Sequence, residues 1–169
     1  MKKRGIALTT VGICFTAVIL KSLVFVEYKV EGISMQPTYE EGKMLSINKL
    51  GIYFNSLKRF DVVVFHPPNS DEIYVKRVIG LSGDEIHYVD DQLFVNGKAV
   101  NEPFLSTKEG TEVMKQTGNF TLEQITNKTK IPEGYIFVIG DNRLQSRDSR
   151  HFGLVSIDDV IGKVGNSNQ

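Results

Sequence analysis

The sequence predicts an all-β domain, an antiparallel sheet or barrel-like fold, set behind an N-terminal transmembrane helix. Three observations carry this. From Tyr28 onward, apolar and polar residues alternate with the period of two that a half-buried strand requires. The strand-like runs are short and separated by glycine, proline, asparagine and aspartate turns. No stretch after residue 26 has the 3.6-residue period of a long amphipathic helix.

The first element is apolar. Gly5 to Leu20 holds no charge, and after Lys21 the run continues through Ser22-Leu23-Val24-Phe25-Val26. At ~1.5 Å per residue, 5–26 reaches about 33 Å, enough for a hydrocarbon core of ~30 Å. Lys21 lies near one end, where its stem can snorkel to the interface. Lys2, Lys3 and Arg4 precede the run, so the positive-inside rule puts residues 1–4 in the cytoplasm and 27–169 outside the cell membrane. A cleaved signal peptide has the same basic and apolar order. The length of the run, and the absence of a small-x-small site after it, favour a retained anchor.

The strands follow in order. Tyr28-Lys29-Val30-Glu31 leads into Gly32, and Met44 to Leu50 partly alternates. Asp61-Val62-Val63-Val64-Phe65-His66 is β-branched and stops at Pro67-Pro68. Glu72 to Ile79 is the next strand, then Glu85 to Val89. Leu93-Phe94-Val95 and Lys98-Ala99-Val100 flank Asn96-Gly97, a pair suited to a type I′ hairpin turn. Tyr135 to Ile139 is strongly apolar, and Val160 to Val164 is the last strand. Residues 101–130 are polar and read as a peripheral insertion.

Composition narrows the function classes. Of 169 residues, 41% are hydrophobic and 24% charged, as in a globular protein with a sizeable core. Residues 1–26 hold four of the 20 basic residues and no acid, which leaves 16 basic against 20 acidic in the remainder, a net of −4. That balance speaks against nucleic acid as a partner. The single cysteine, Cys14, permits neither an intrachain disulfide nor a cysteine-based metal site. His66, His87 and His151 stand apart, with no ligand spacing, so no metal is expected. There is no Gly-x-Ser-x-Gly elbow and no phosphate-binding glycine loop. Ser46-Ile47-Asn48-Lys49 has the letters of an S-x-x-K motif, but it falls in a strand-like stretch where the two side chains would not share a face.

A serine can also be activated by a neutral lysine. A free lysine has a pKa of about 10.4, and lowering it by ~3 units takes about 4 kcal/mol against the ammonium form. Lys76, in Ile73-Tyr74-Val75-Lys76-Arg77-Val78-Ile79, has the most apolar surroundings of any lysine after residue 26. On sequence alone it is either a solvated strand lysine or a buried base.

Several stretches together are more specific. Gly32-Ile33-Ser34-Met35-Gln36-Pro37-Thr38 resembles the S-M-x-P-T box of the type I signal peptidases. Arg59-Phe60-Asp61-Val62-Val63-Val64-Phe65 resembles their R-x-D-V-V-V-F strand, and Lys76-Arg77-Val78-Ile79-Gly80 their K-R-V-x-G box. Gly140-Asp141-Asn142-Arg143, with Ser146, Asp148, Ser149, Arg150 and Gly153, resembles their G-D-N-R…S-x-D-S-R…G box. Order and spacing agree along nearly the whole chain except 101–130, and the size resembles the short Gram-positive type.

The resemblance implies a membrane-anchored serine endopeptidase that removes signal peptides from exported preproteins after small-x-small (Ala-x-Ala) sites, without cofactor. It implies Ser34 as nucleophile and Lys76 as general base. It implies Ser146 as the hydroxyl that orients the lysine, Asp148 and Arg150 as a supporting ion pair, and Arg77 as their neighbour. The backbone N–H of Ser34 would help hold the oxyanion. Gly32 and Leu144 stand where many members carry a hydroxyl and an acid. Tyr28, Val30, Met35, Tyr74 and Val75 are the expected substrate-binding residues. Met35 and its neighbours are expected at the lipid surface, with the secretion machinery as a further candidate partner. Two other readings share features: a self-cleaving Ser/Lys peptidase of the SOS-repressor type, which carries a DNA-binding module in place of an anchor, and a non-enzymatic anchored β module such as a pseudoenzyme or assembly factor, which would not need both Ser34 and Lys76.

Overall fold

Alternating sequence becomes paired strand almost wherever it occurs. The computed structural model describes residues 24–54, 57–105 and 116–165. Its elements in chain order are β1 (Phe25–Lys29), β2 (Met44–Asn48), α1 (Gly51–Phe54), β3 (Val62–Phe65), β4 (Tyr74–Gly80), β5 (Ile86–Val89), β6 (Gln92–Val95) and β7 (Lys98–Val100). Then come β8 (Phe120–Thr121), α2 (Leu122–Thr126), β9 (Tyr135–Ile139), α3 (Ser149–Phe152), β10 (Val155–Ser156) and β11 (Val160–Val164). The described helices are a turn or so long.

The strands form two sheets, one of seven in the order β1-β2-β11-β3-β4-β9-β10 and one of four in the order β7-β6-β5-β8. Every pairing is antiparallel. The larger sheet is open, with β1 and β10 at its edges, so the barrel-like domain is not a closed ring. Asn96 (φ 51°) and Gly97 (φ 75°) take the two left-handed positions of the expected hairpin between β6 and β7.

Strand burial explains the residue types. β2 alternates exposed and buried residues, whereas β3 is buried at all four positions and β4 at all but its first. Val62 and Val64 of β3 pack with Val30, Met35, Leu45 and Val75. Val63 and Phe65, on the opposite face, pack with Val78, Ile136 and Val138. Phe137 and Ile139 of β9 join Ile86, Tyr88 and Leu93 of the smaller sheet. The central strands therefore have apolar cover on both faces. Lys76 lies in one of them, opposite Val63 of β3.

Three expectations are corrected. The anchor was expected to run to residue 26, but Phe25 and Val26 belong to β1 and pair with Asn48 and Ile47. The Val24 carbonyl already accepts from the Lys49 N–H. The rest of the expected anchor, and the cytoplasmic tail, lie outside the described residues. Met35, expected at the lipid surface, is 1% exposed and fills the core under β2 and β3. The segment expected around Tyr28–Glu31 begins earlier, at Phe25, and ends at Lys29. Within 101–130, the described parts contribute β8, the capped helix α2 and the buried side chains of Leu105, Thr117 and Leu122 to the second sheet.

Gly162 of β11 marks a close approach: a Cβ there would sit 2.6 Å from Ile47 Cγ2 and 2.9 Å from the Asn48 carbonyl oxygen. At Gly165 the nearest atom, Ser46 O, would be an ordinary 3.5 Å away. Gly162→Ala is expected to lower stability by about 1–3 kcal/mol, and Gly165→Ala to stay within ~0.5 kcal/mol of wild type, by urea unfolding. Equal stability of the two variants would show that β11 can shift to make room.

Candidate active site

The loop that follows β1 carries Ser34. Its base is closed by the Val30 N–H to Lys43 O and Gly42 N–H to Val30 O bonds. Within it, Gln36 N–H donates to Ile33 O and Tyr39 N–H to Met35 O. Met35 plugs the core, so its neighbour Ser34 is held half-exposed at the rim. The segment after β9 grips the same backbone: Asn142 N–H donates to Ser34 O (3.0 Å) and Asn142 Nδ2 to Ile33 O (3.2 Å). Among the described residues the Ser34 N–H has no acceptor, so it is free to meet a ligand.

Lys76 reaches Ser34 from the middle of the large sheet. Its Nζ lies 2.7 Å from Ser34 Oγ and donates to Val75 O at 3.0 Å. It lies 5.0 Å from the centre of the Tyr74 ring, and the residue is 4% exposed. Among the described residues it has no carboxylate partner. Burial drives its pKa down from 10.5 to about 8, against the opposing pull of the Asp148 and Asp141 carboxylates. The geometry thus joins a hydroxyl to an amine that can be neutral near physiological pH.

The carboxylates are kept from the ammonium by their own cations. Asp148, fully buried, accepts from Arg150 Nε (2.8 Å) and Nη2 (2.9 Å) and from the Gly140 N–H (3.0 Å). It also caps α3, accepting from the Arg150 N–H. Burial pushes its carboxyl up, but Arg150 and the Gly140 amide outweigh this and hold it below the usual range. The expected Asp148–Arg150 contact is therefore present. Arg77 is not its neighbour in this network. It pairs instead with Asp141, through Nε at 2.8 Å and Nη2 at 2.5 Å, and Thr38 Oγ1 donates to the same carboxylate.

Ser146 departs from expectation as well. It is buried, but its Oγ has no partner at hydrogen-bonding geometry among the described residues, so it does not bond Lys76. Its hydroxyl lies close enough to Asp148 to favour the ionised carboxyl. It packs against Gly140, where a Cβ would lie 2.2 Å from Ser146 Oγ and 2.5 Å from Ser34 O. Only glycine lets these two serines approach one backbone.

A groove of about 690 Å³ opens over Ser34 and Lys76. Tyr28, Val30, Met35, Tyr74 and Val75 all line it. Sequence reasoning missed Ile33, Ile73, Glu72 and Arg147, which line it too. Ile33 and Ile73 were findable as apolar neighbours of the singled-out stretches, and both are exposed. It also gave no role to Thr38, Asp141 or Asn142, although all three lie inside quoted motifs. Gly32, at the groove, donates its N–H to Glu41 Oε1. The histidines lie elsewhere: His66 Nδ1 meets Glu72 O, His87 stacks on Phe94, and His151 Nδ1 accepts from the Asp148 N–H.

Removing one member of a buried ion pair strands the other. Asp148→Asn is expected to cost about 3–5 kcal/mol in urea unfolding, because Arg150 keeps its charge with no carboxylate. A loss below ~1 kcal/mol would mean that solvent reaches Arg150 and that the pair does not hold the loop.

Comparison with known proteins agrees with this geometry. The family profile described as signal peptidase, peptidase S26, matches residues 3–166. A signal peptidase I of Bacillus caldolyticus is 53% identical over 155 residues, covering 91% of this chain and 84% of that protein. Signal peptidase I V of Bacillus subtilis (strain 168) is 46% identical over 171 residues, covering 99% of each. The crystal structure of a signal peptidase I from Enterococcus faecalis V583 superposes with a TM-score of 0.60 at 37% identity, over 66% of this chain and 98% of that one. The chain belongs to the S26 signal peptidase family.

Proposed function

We propose that this protein is a membrane-anchored serine endopeptidase that removes signal peptides from exported preproteins, with Ser34 as nucleophile and Lys76 as general base. One observation carries the roles: Ser34 Oγ lies 2.7 Å from the Nζ of a lysine that is 4% exposed and has its pKa lowered to about 8. Neutral Lys76 takes the Ser34 proton as Oγ attacks the scissile carbonyl. The same ammonium then protonates the departing amine, which leaves an ester on Ser34 and a neutral lysine. Lys76 next draws a proton from water, whose oxygen attacks the ester; the ammonium then returns that proton to Ser34 Oγ as it leaves, which frees the new carboxyl terminus and restores the neutral lysine. The free Ser34 N–H supplies one donor to the oxyanion in both steps. No step calls for a metal or cofactor.

The reading extends to substrate and membrane. An extended segment adding to the groove would set alternate side chains against its walls. Val30, Met35 and Val75, all buried, and the rings of Tyr28 and Tyr74 leave room for small residues before the cut. Since β1 begins at Phe25, the anchor is taken as residues 5–23. Nineteen residues at ~1.5 Å reach about 29 Å, still a bilayer's hydrocarbon width. Among the described residues no helix is long and apolar enough to cross a membrane, so the anchor rests on the sequence alone. Lys2, Lys3 and Arg4 place its start in the cytoplasm and the catalytic domain outside.

Cleavage of a preprotein in detergent or liposomes is the test. Wild type is expected to cut after a small-x-small site, with Ser34→Ala and Lys76→Ala each slower by ~10³-fold or more. A Lys76→Ala enzyme that still cuts well would sink the base assignment.

The pH dependence has a definite sign. Lys76 must be neutral to act, and its pKa is about 8, so kcat/KM is expected to climb with pH and level off above about 8. A limb near pH 6.5, the ordinary histidine value, would point to a different base.

Val30→Trp would fill the groove wall. It is expected to raise KM for Ala-x-Ala substrates, and an unchanged preference would remove Val30 from the substrate site.

A further inference from the structure

We infer that Tyr88, on the second sheet, and Glu102, in the loop just after β7, both outside every motif that marks the family, are positioning residues for the Ser34 loop. They act through Arg143. This rests on the Ser34/Lys76 reading and adds to it a path from the second sheet and its loop to the Ser34 backbone.

The contacts form one chain. The Arg143 guanidinium is 1% exposed and the Glu102 side chain 5%. Arg143 Nη2 donates to Glu102 Oε1 at 2.6 Å, and Nη1 donates to Thr117 Oγ1 at 2.6 Å and to the Tyr88 hydroxyl at 3.4 Å. The Tyr88 hydroxyl in turn donates to Glu102 Oε1 at 2.9 Å. Nη1 also donates to Glu102 Oε2 at 3.4 Å, and the third nitrogen, Arg143 Nε, donates to Gly140 O at 3.1 Å. Gly140 is the residue pressed between Ser34 O and Ser146 Oγ, and its own N–H is held by Asp148. Two residues on, Asn142 grips Ser34 O. Both polar groups of the Gly140 residue are therefore fixed, one by the Asp148–Arg150 pair and the other by Arg143.

Phe104 ties the two sides together. Its ring centre lies 4.0 Å from Arg77 Cζ and 5.9 Å from Arg143 Cζ. Arg77 holds Asp141, the residue between Gly140 and Asn142. The segment bearing Glu102 and Phe104 thus braces both arginines that orient residues 140–142. Without Glu102, Arg143 would be a buried cation whose nearest alternative carboxylate is Asp141, which already feels its charge. Turning toward Asp141 would pull Arg143 off Gly140 O and disturb the Arg77–Asp141–Thr38 contacts. The Ser34 loop would then lose its fixed distance from Lys76, while the groove lining supplied by Tyr28, Tyr74 and Val75 takes no part in these contacts.

The experiment compares wild type, Ser34→Ala, Glu102→Gln, Glu102→Asp, Tyr88→Phe and Thr117→Val on one preprotein, with kcat and KM measured separately and the folded fraction followed by circular dichroism. Glu102→Gln is expected to lose ~10–100-fold in kcat per folded molecule, since ångström-scale misplacement costs that much, with KM within ~3-fold. Tyr88→Phe and Thr117→Val are expected to lose less, and Glu102→Asp to recover part of the loss. If Glu102→Gln does not fold, Tyr88→Phe and Thr117→Val decide. Wild-type kcat in every variant that folds, or a loss confined to KM or to melting temperature, would overturn the positioning role. A wild type that cuts nothing, or a Ser34→Ala enzyme that cuts normally, would overturn the underlying Ser/Lys reading instead.

Discussion

The burial of one lysine amine is the constraint on which the rest of the structure depends. Moving the Lys76 pKa from 10.5 to about 8 sets roughly 3 kcal/mol against its charged form. Water around Nζ would cancel that, so β4 must run through the middle of a sheet with apolar cover on both faces. A carboxylate bonded to Nζ would cancel it as well. Asp141 and Asp148 both pull the pKa upward, yet each spends its oxygens on an arginine: Arg77 for one, Arg150 for the other. The buried ion pairs are costly as sources of stability. Here they bring acids near the site for their hydrogen bonds while most of their field is neutralised.

Gly140 converts that electrostatic arrangement into geometry. Its missing side chain lets Ser34 O and Ser146 Oγ meet one backbone. Its amide and carbonyl are the points where the Asp148–Arg150 pair and Arg143 take hold. The Ser34 loop comes from one end of the chain and the gripping loop from the other, and Asn142 to Ser34 is the seam between them. Ser146 fits this account as a packing partner of Gly140 close to Asp148, with its hydroxyl still available.

How much of this was legible follows from the kind of signal each feature leaves. β9 and β11 have the expected bounds because an apolar run between turn residues has few other homes. β8 and β10 are two residues long, set by what they pair with, and leave no periodicity to read. Helix α2 left a readable trace, the Thr121…Gln124 capping box, inside a stretch otherwise read only as polar. Ser34 and Lys76 stood out because of the residues around them. Their 2.7 Å contact spans 42 positions and has no counterpart in local sequence. The ion pairs were the least legible. Arg77 finds Asp141 at 64 residues' separation among twenty acids, and nothing in the composition around Arg77 favours that partner over Asp148. Glu102 fell in a polar stretch, where a buried carboxylate looks like any solvated one.

The start of β1 bears on how so small a groove can suffice. Val24 O is already bonded to Lys49 N–H, so on the proposed reading no linker of described residues separates the anchor from the sheet. Ser34 is eleven residues beyond such an anchor, which would bound its distance from the membrane face at about 40 Å even for extended chain. With that anchor, a preprotein held in the same bilayer by its own apolar segment would meet the groove in two dimensions. Binding then resembles the second, intramolecular step of a bivalent contact, with a high effective concentration supplied by the membrane. Few contacts are needed under those conditions, and the contacts can serve selection rather than affinity. Walls made by Val30, Met35 and Val75 would suit that division, since in the proposed reading they would reject bulk and ask little else of the residues before the cut. Specificity would then come from two crude filters in series, a site near the membrane and small side chains beside the bond.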